Sequence, residues 1–133
     1  MFNILWIEDE SDKIGGLVRP LKKDGNTIIV AKDKIEALTI LTSNQKIDLI
    51  ILDIIIPQGV SEPFAEYVGC DVLRNIREEL NLTTPVIVLT VVDDDEILSS
   101  ILKLNVSKIL RKGAYLPSHL KEEVYSVLGY NQL

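Results

Sequence analysis

The stretch Asp48-Leu49-Ile50-Ile51-Leu52-Asp53-Ile54-Ile55-Ile56-Pro57 decides the fold. Four aliphatic residues run unbroken into one carboxylate, and three more precede a proline. A run that does not alternate with polar residues reads as a strand covered on both faces, as in a parallel sheet. Asp53 then falls at the carboxyl end of that strand, where open α/β sheets carry their functional groups. Working outward, similar runs occupy residues 4–7, 28–30, 86–89 and 109–110. Between them the apolar residues take helical spacing: Ile14, Leu17, Val18 and Leu21; Ile35, Leu38, Ile40 and Leu41; Val72, Leu73, Ile76 and Leu80. Ile97, Ile101 and Leu104 form a fourth such face, and Leu120, Val124, Val127 and Leu128 a fifth. Strand and helix alternate with mostly short connections. This predicts an α/β fold, a doubly wound five-stranded parallel sheet with right-handed crossovers and helices on both faces, as one domain over residues 1–133. The first helix is expected to be short or kinked, because Gly15, Gly16 and Pro20 all disfavour a helix interior.

Composition narrows the function classes. The chain has 133 residues, of which 18 are Ile, 19 Leu and 12 Val, and its formal net charge is -6. A domain of this length buries roughly two-thirds of its unfolded surface and needs no disulfide or structural metal. The apolar content excludes a disordered tail, and no run approaches the ~20 residues of a membrane helix. The amino terminus lacks a basic segment and a cleavage site, so no signal peptide is expected and a cytoplasmic location is the default. Cys70 alone makes neither a disulfide nor a zinc site. The acidic balance argues against a nucleic-acid surface.

The strand ends supply the chemistry. The first run ends in Glu8, Asp9 and Glu10, the third in Asp53, the fourth in Thr90, and the fifth in Arg111 and Lys112. The second ends in Lys32 and Asp33, which read as a plain turn into a helix. Glu8, Asp9 and Asp53 brought together would repel unless protonated or bridged, and three hard oxygen ligands with room for water suit Mg²⁺. Lys112 adds a mobile positive charge able to pair with Asp53 or a phosphoryl oxygen. A carboxylate in such surroundings can attack phosphorus in line and form an acyl phosphate.

These motifs resemble the receiver domains of two-component response regulators over essentially the whole chain. Ile-Leu-Trp-Ile-Glu8-Asp9-Glu10 resembles the acidic pair closing the family's first strand, and Asp48 to Pro57 its phosphoacceptor strand. Thr84-Pro85-Val-Ile-Val-Leu-Thr90 resembles the fourth strand with its switch hydroxyl, and Asn105-Val-Ser-Lys-Ile-Leu-Arg-Lys112 the fifth with its lysine. The resemblance implies a flavodoxin-like strand order 2-1-3-4-5 and Asp53 as phosphoacceptor. It implies a Mg²⁺ site of Glu8, Asp9, Asp53 and the Ile55 carbonyl, with Thr90 and Lys112 contacting the phosphoryl group. A histidine kinase or histidine phosphotransfer protein would be the donor, and a downstream effector the reader. A homodimer through the last two helices stays open, since the charges there show no clear pairing.

Departures from the family pattern also stand out. Gly113 replaces the usual proline after the lysine, which frees that loop, and Ile109 replaces the switch aromatic. Eleven residues (58–68, including Phe64 and Tyr67) separate Pro57 from Gly69 where about three are usual. Val91 replaces a small residue beside Thr90, which narrows access to Asp53. These departures support an alternative, a divergent pseudo-receiver that binds partners without phosphorylation. A phosphohydrolase of similar topology would carry a second acid where Ile55 stands, so it ranks last. Other polar features have plainer readings. Asp93 to Glu96 caps and charges the start of a helix, as Glu10 does for the first helix. His119 is a surface residue, Cys70 a packed thiol, and Trp6 a core residue.

Overall fold

The computed structural model describes residues 1–57, 59 and 67–131. Its strands are β1 (Asn3–Ile7), β2 (Thr27–Ala31), β3 (Leu49–Leu52), β4 (Val86–Thr90) and β5 (Lys108–Arg111), all parallel in the order β2-β1-β3-β4-β5. The helices are α1 (Arg19–Lys23), α2 (Lys34–Leu41), α3 (Val68–Arg74), α4 (Asp95–Leu102) and α5 (Pro117–Leu128). This is the expected fold class and strand order.

Side-chain alternation along the strands divides the core into two layers. Leu5, Ile7, Ile50, Leu52, Val86 and Val88 face one side, packed with Ala37, Val72, Leu73, Ile76 and Ile101 from α2, α3 and their neighbours. Ile4, Trp6, Leu49, Ile51, Ile87 and Leu89 face the other, against Leu21, Leu120, Val124 and Tyr125 of α1 and α5. β1, β3 and β4 are therefore the doubly covered strands. β2 and β5 lie at the edges, and their burial is only partial, with Val30 36% exposed. Short apolar runs alone do not distinguish an edge strand from a central one, so the expectation of double cover fails for these two.

Local sequence explains where most elements start and stop. Gly15–Val18 makes a 3-10 turn, and α1 begins afresh beyond it with Pro20 in its first turn, where a missing N–H costs nothing. The first helix is accordingly short. Glu10 does not start it: its carbonyl accepts from Lys13 and Ile14 N–H in a turn. Asp33 caps α2 by accepting from Glu36 N–H at 2.8 Å, and Asp94 caps α4 through Glu96 and Ile97. Ile35, expected on the inner face of α2, is 56% exposed. Ala37 takes the buried position there, with Ile40 and Leu41 half-buried. Cys70 and Trp6 are buried and His119 is exposed, as their contexts suggest. Among the described residues, no helix is long and apolar enough to cross a membrane.

Candidate functional site

The last ladder bonds of the sheet deliver the site residues to one place. Glu8 N–H donates to Ala31 O at 2.9 Å, Asp53 N–H to Ile7 O at 3.0 Å, and Lys112 N–H to Thr90 O at 2.9 Å. Each of these residues thus leaves its strand with its backbone tied to the neighbouring strand. Ligand oxygens of Glu8, Asp9 and Asp53 lie within 4.8 Å of one another. Glu8 and Asp53 are buried, at 1% and 5% exposure, while Asp9 faces solvent. Lys112 reaches in from β5, its Nζ 2.5 Å from Glu8 Oε1 and 2.9 Å from Asp53 Oδ2.

Burying carboxylates this closely is expensive unless charge balances. Burial raises the pKa of Glu8 to about 7, and repulsion from Asp53 adds to that, although the hydrogen bond from Lys112 works against it. For Lys112 burial opposes the charge, but hydrogen bonds to Glu8 and Asp53 outweigh it and lift its pKa. With Glu8 ionised, three carboxylates against one ammonium leave two negative charges, the complement of a divalent cation. An all-oxygen donor set with one solvent-facing member fits a hard ion that retains waters, so the residues suit Mg²⁺.

The remaining site residues sit around this centre. Ile55 N–H donates to Asp53 Oδ1 at 3.1 Å, which holds residue 55 against the carboxylate. Thr90 is buried at the end of β4, and its Oγ1 accepts from Val92 N–H at 3.1 Å. Its hydroxyl hydrogen stays available to donate elsewhere. Val91 is exposed and Ile109 half-buried. Gly113 takes φ 87°, a conformation closed to proline, so the loop after Lys112 runs differently from one built on a proline. Of the 58–68 segment, residues 58 and 60–66, Phe64 among them, lie outside the described residues. Tyr67 sits in the left-handed region (φ 58°) just before α3.

Two contributors were not evident from the chain alone. Lys32, at the end of β2, pairs with Asp12 at 2.5 Å and so ties the acidic loop after β1 to the adjacent strand. A basic residue at a strand's carboxyl end facing an acidic loop is the signal that could have found it. The second is Gly69, whose N–H donates to Ile54 O at 2.8 Å. A Cβ there would overlap Asp53 O and lie 2.5 Å from Ile54 Cα, so α3 can rest on the loop after β3 only through glycine. Beside Lys112 an open groove of about 400 Å³ is lined by Ile14, Leu17, Gly113, Tyr115 and Pro117.

A doubly wound sheet with an acidic pocket and a lysine at its carboxyl edge defines a class, and comparison with known proteins gives that class its family. The chain belongs to the response regulator receiver domain family, whose model matches residues 4–124. It is the receiver domain of a two-component response regulator, a signalling domain. Among solved structures it is similar to a two-component response regulator from Clostridium difficile, with 26% identity over 97% of each chain and a TM-score of 0.79. A response regulator from Thermotoga maritima is 24% identical over 97% of this chain and 98% of that one (TM-score 0.76). A receiver domain protein from Methanospirillum hungatei shares 19% identity over 97% and 94%, with a TM-score of 0.80. No curated protein matches the chain significantly.

Proposed function

We propose that Asp53 accepts a phosphoryl group from a histidine kinase or histidine phosphotransfer protein, and that the phosphorylated chain signals to an effector through a changed surface. The observation that carries this reading is the meeting of Glu8, Asp9 and Asp53 with Lys112 bonded to two of them. Glu8, Asp9, Asp53 and the Ile55 carbonyl would hold Mg²⁺, which supplies charge neutralisation for the transfer. An Asp53 carboxylate oxygen bonds to phosphorus while the donor's P–N bond breaks and its electron pair returns to the imidazole. Lys112 then exchanges its contact with Asp53 for one with a phosphoryl oxygen. Thr90 donates its hydroxyl hydrogen to another. The groove beside Lys112 gives the donor an apolar approach.

The test is incubation with Mg²⁺ and acetyl phosphate, followed by intact-mass measurement. Wild type gains one phosphoryl group and Asp53→Asn gains none. Labelling that survives the substitution would overturn the assignment. Ile109 and Gly113, where the family has an aromatic residue and a proline, favour a second reading, a phosphorylation-independent interaction module. A wild type that takes up no phosphoryl group under these conditions supports that reading instead.

A further inference from the structure

Helix α3 is fastened at both ends, and its two fastenings belong to different parts of the molecule. At its start Gly69 lies directly on the Asp53–Ile54 backbone and bonds to Ile54 O. At its other end it widens into a π-helical turn over Asn75–Glu79, closed by Leu80 N–H donating to Asn75 O at 2.9 Å. Such turns are rare and re-aim side chains. Here the turn carries Arg77, whose guanidinium donates to four backbone carbonyls. Leu82 O and Thr84 O, both at 2.8 Å, lie just before β4. Leu104 O at 2.9 Å and Asn105 O at 3.1 Å belong to the turn between α4 and β5. Among the described residues no carboxylate pairs with Arg77. Four of the five N–H donors of its planar fork hold these segments together.

Helix α4 is held unevenly as a result. The turn that follows its carboxyl end is gripped by Arg77. At its amino end, Asp94 caps the helix's own N–H groups, and the neighbouring Asp93 makes an exposed ion pair with Arg111 at 3.6 Å. Its body buries Ile101 and leaves Leu102 exposed. Ile109 offers no ring through which Thr90 could act on this region.

We propose that α3 is a strut between the phosphoacceptor loop and the base of α4, with Arg77 as its coupling residue. Movement of the Asp53–Ile54 backbone on phosphorylation passes through Gly69 along the helix to Leu104 and Asn105, and α4 tilts about that turn. The inference rests on the phosphoacceptor reading above. It supplies that reading with a route that needs no aromatic switch.

The test uses the full chain with Mg²⁺ and beryllofluoride, a phosphoryl mimic, and follows amide hydrogen exchange in wild type, Arg77→Met and Arg77→Lys. In wild type the mimic changes exchange over residues 53–57 and, by roughly fivefold or more, over 103–107. In Arg77→Met the 53–57 response persists, which also shows that the variant is folded, while the 103–107 response falls below about twofold. Arg77→Lys, which keeps the charge and loses the fork, lies between; it carries the same readout if Arg77→Met does not fold. A full 103–107 response in the variants, or a wild type responding at 53–57 alone, overturns the coupling. A wild type responding at neither segment overturns the phosphoacceptor reading itself.

Discussion

The two ends of the sheet bury polar groups in opposite ways. At the amino-terminal end, Asn26 Nδ2 donates to Leu21 O at 2.9 Å and to Tyr125 Oη at 2.7 Å, and Tyr125 in turn donates to Asp24 Oδ2 at 2.9 Å. Lys121 stands 3.3 Å from the same carboxylate. With Arg77 on its four carbonyls, this end is a set of donors matched to acceptors. At the carboxyl-terminal end, two buried carboxylates share one ammonium, and a third carboxylate stands beside them. The first arrangement stabilises the fold. The second costs stability that a proton on Glu8 or a bound cation would restore, and that imbalance marks it as the working end.

The largest effect on this contrast is expected at Gly69. Gly69→Ala places a methyl group against the Asp53–Ile54 backbone, where neither side can yield cheaply. A loss of about 3 kcal/mol is expected in urea unfolding, together with impaired phosphoryl uptake, although no charged group is altered. Unchanged stability would mean that α3 does not rest on that loop as tightly as the geometry requires.

The next largest effect concerns Glu8 and has an unusual sign. Its folded pKa of about 7 lies above the ordinary 4.5, so between those values the folded chain holds a proton that the unfolded chain has released. Metal-free stability therefore falls as pH rises through this window. Glu8→Gln removes that dependence and, at pH 8 in chelator, is expected to be more stable than wild type by about 1–3 kcal/mol. In wild type Mg²⁺ affinity rises with pH towards a plateau above 7, readable by Trp6 fluorescence. A Glu8→Gln variant less stable than wild type in chelator would show that the site carries no excess charge.

The smallest effect belongs to the matched end. Tyr125→Phe deletes the hydroxyl between Asn26 and Asp24 and should cost about 1 kcal/mol, with Mg²⁺ affinity unchanged. A gain in stability on losing that hydroxyl would remove the contrast between the two ends.

Much of the fold was legible in the chain because aliphatic runs and helical spacing report burial directly. The strand-end polar residues were legible for the same reason, since a parallel sheet points its carboxyl ends one way. Glu8, Asp9, Asp53 and Lys112 come together as that logic requires. What stayed hidden depends on the shapes of turns. Arg77 finds Leu104 and Asn105 because Asn105 takes φ 61°, and it finds Leu82 and Thr84 beyond Asn81 at φ 52°. Neither spacing nor hydropathy encodes those angles. Ile35 misled because an aliphatic residue in phase with a helix is not thereby buried, and Glu10 because an acidic residue after a strand need not begin a helix.

The pairing of Lys112 with Asp53 spans 59 residues of chain. Its partners arrive on β1, β3 and β5, so the site is also a clock of assembly. A chain in which β5 has not yet docked leaves Glu8 and Asp53 with no ammonium between them, so their pocket is incomplete. Contacts of such long sequence separation are costly to close, because the intervening chain must first be ordered. The completed pocket exists only once the final strand has joined the sheet, and a partly folded copy lacks it.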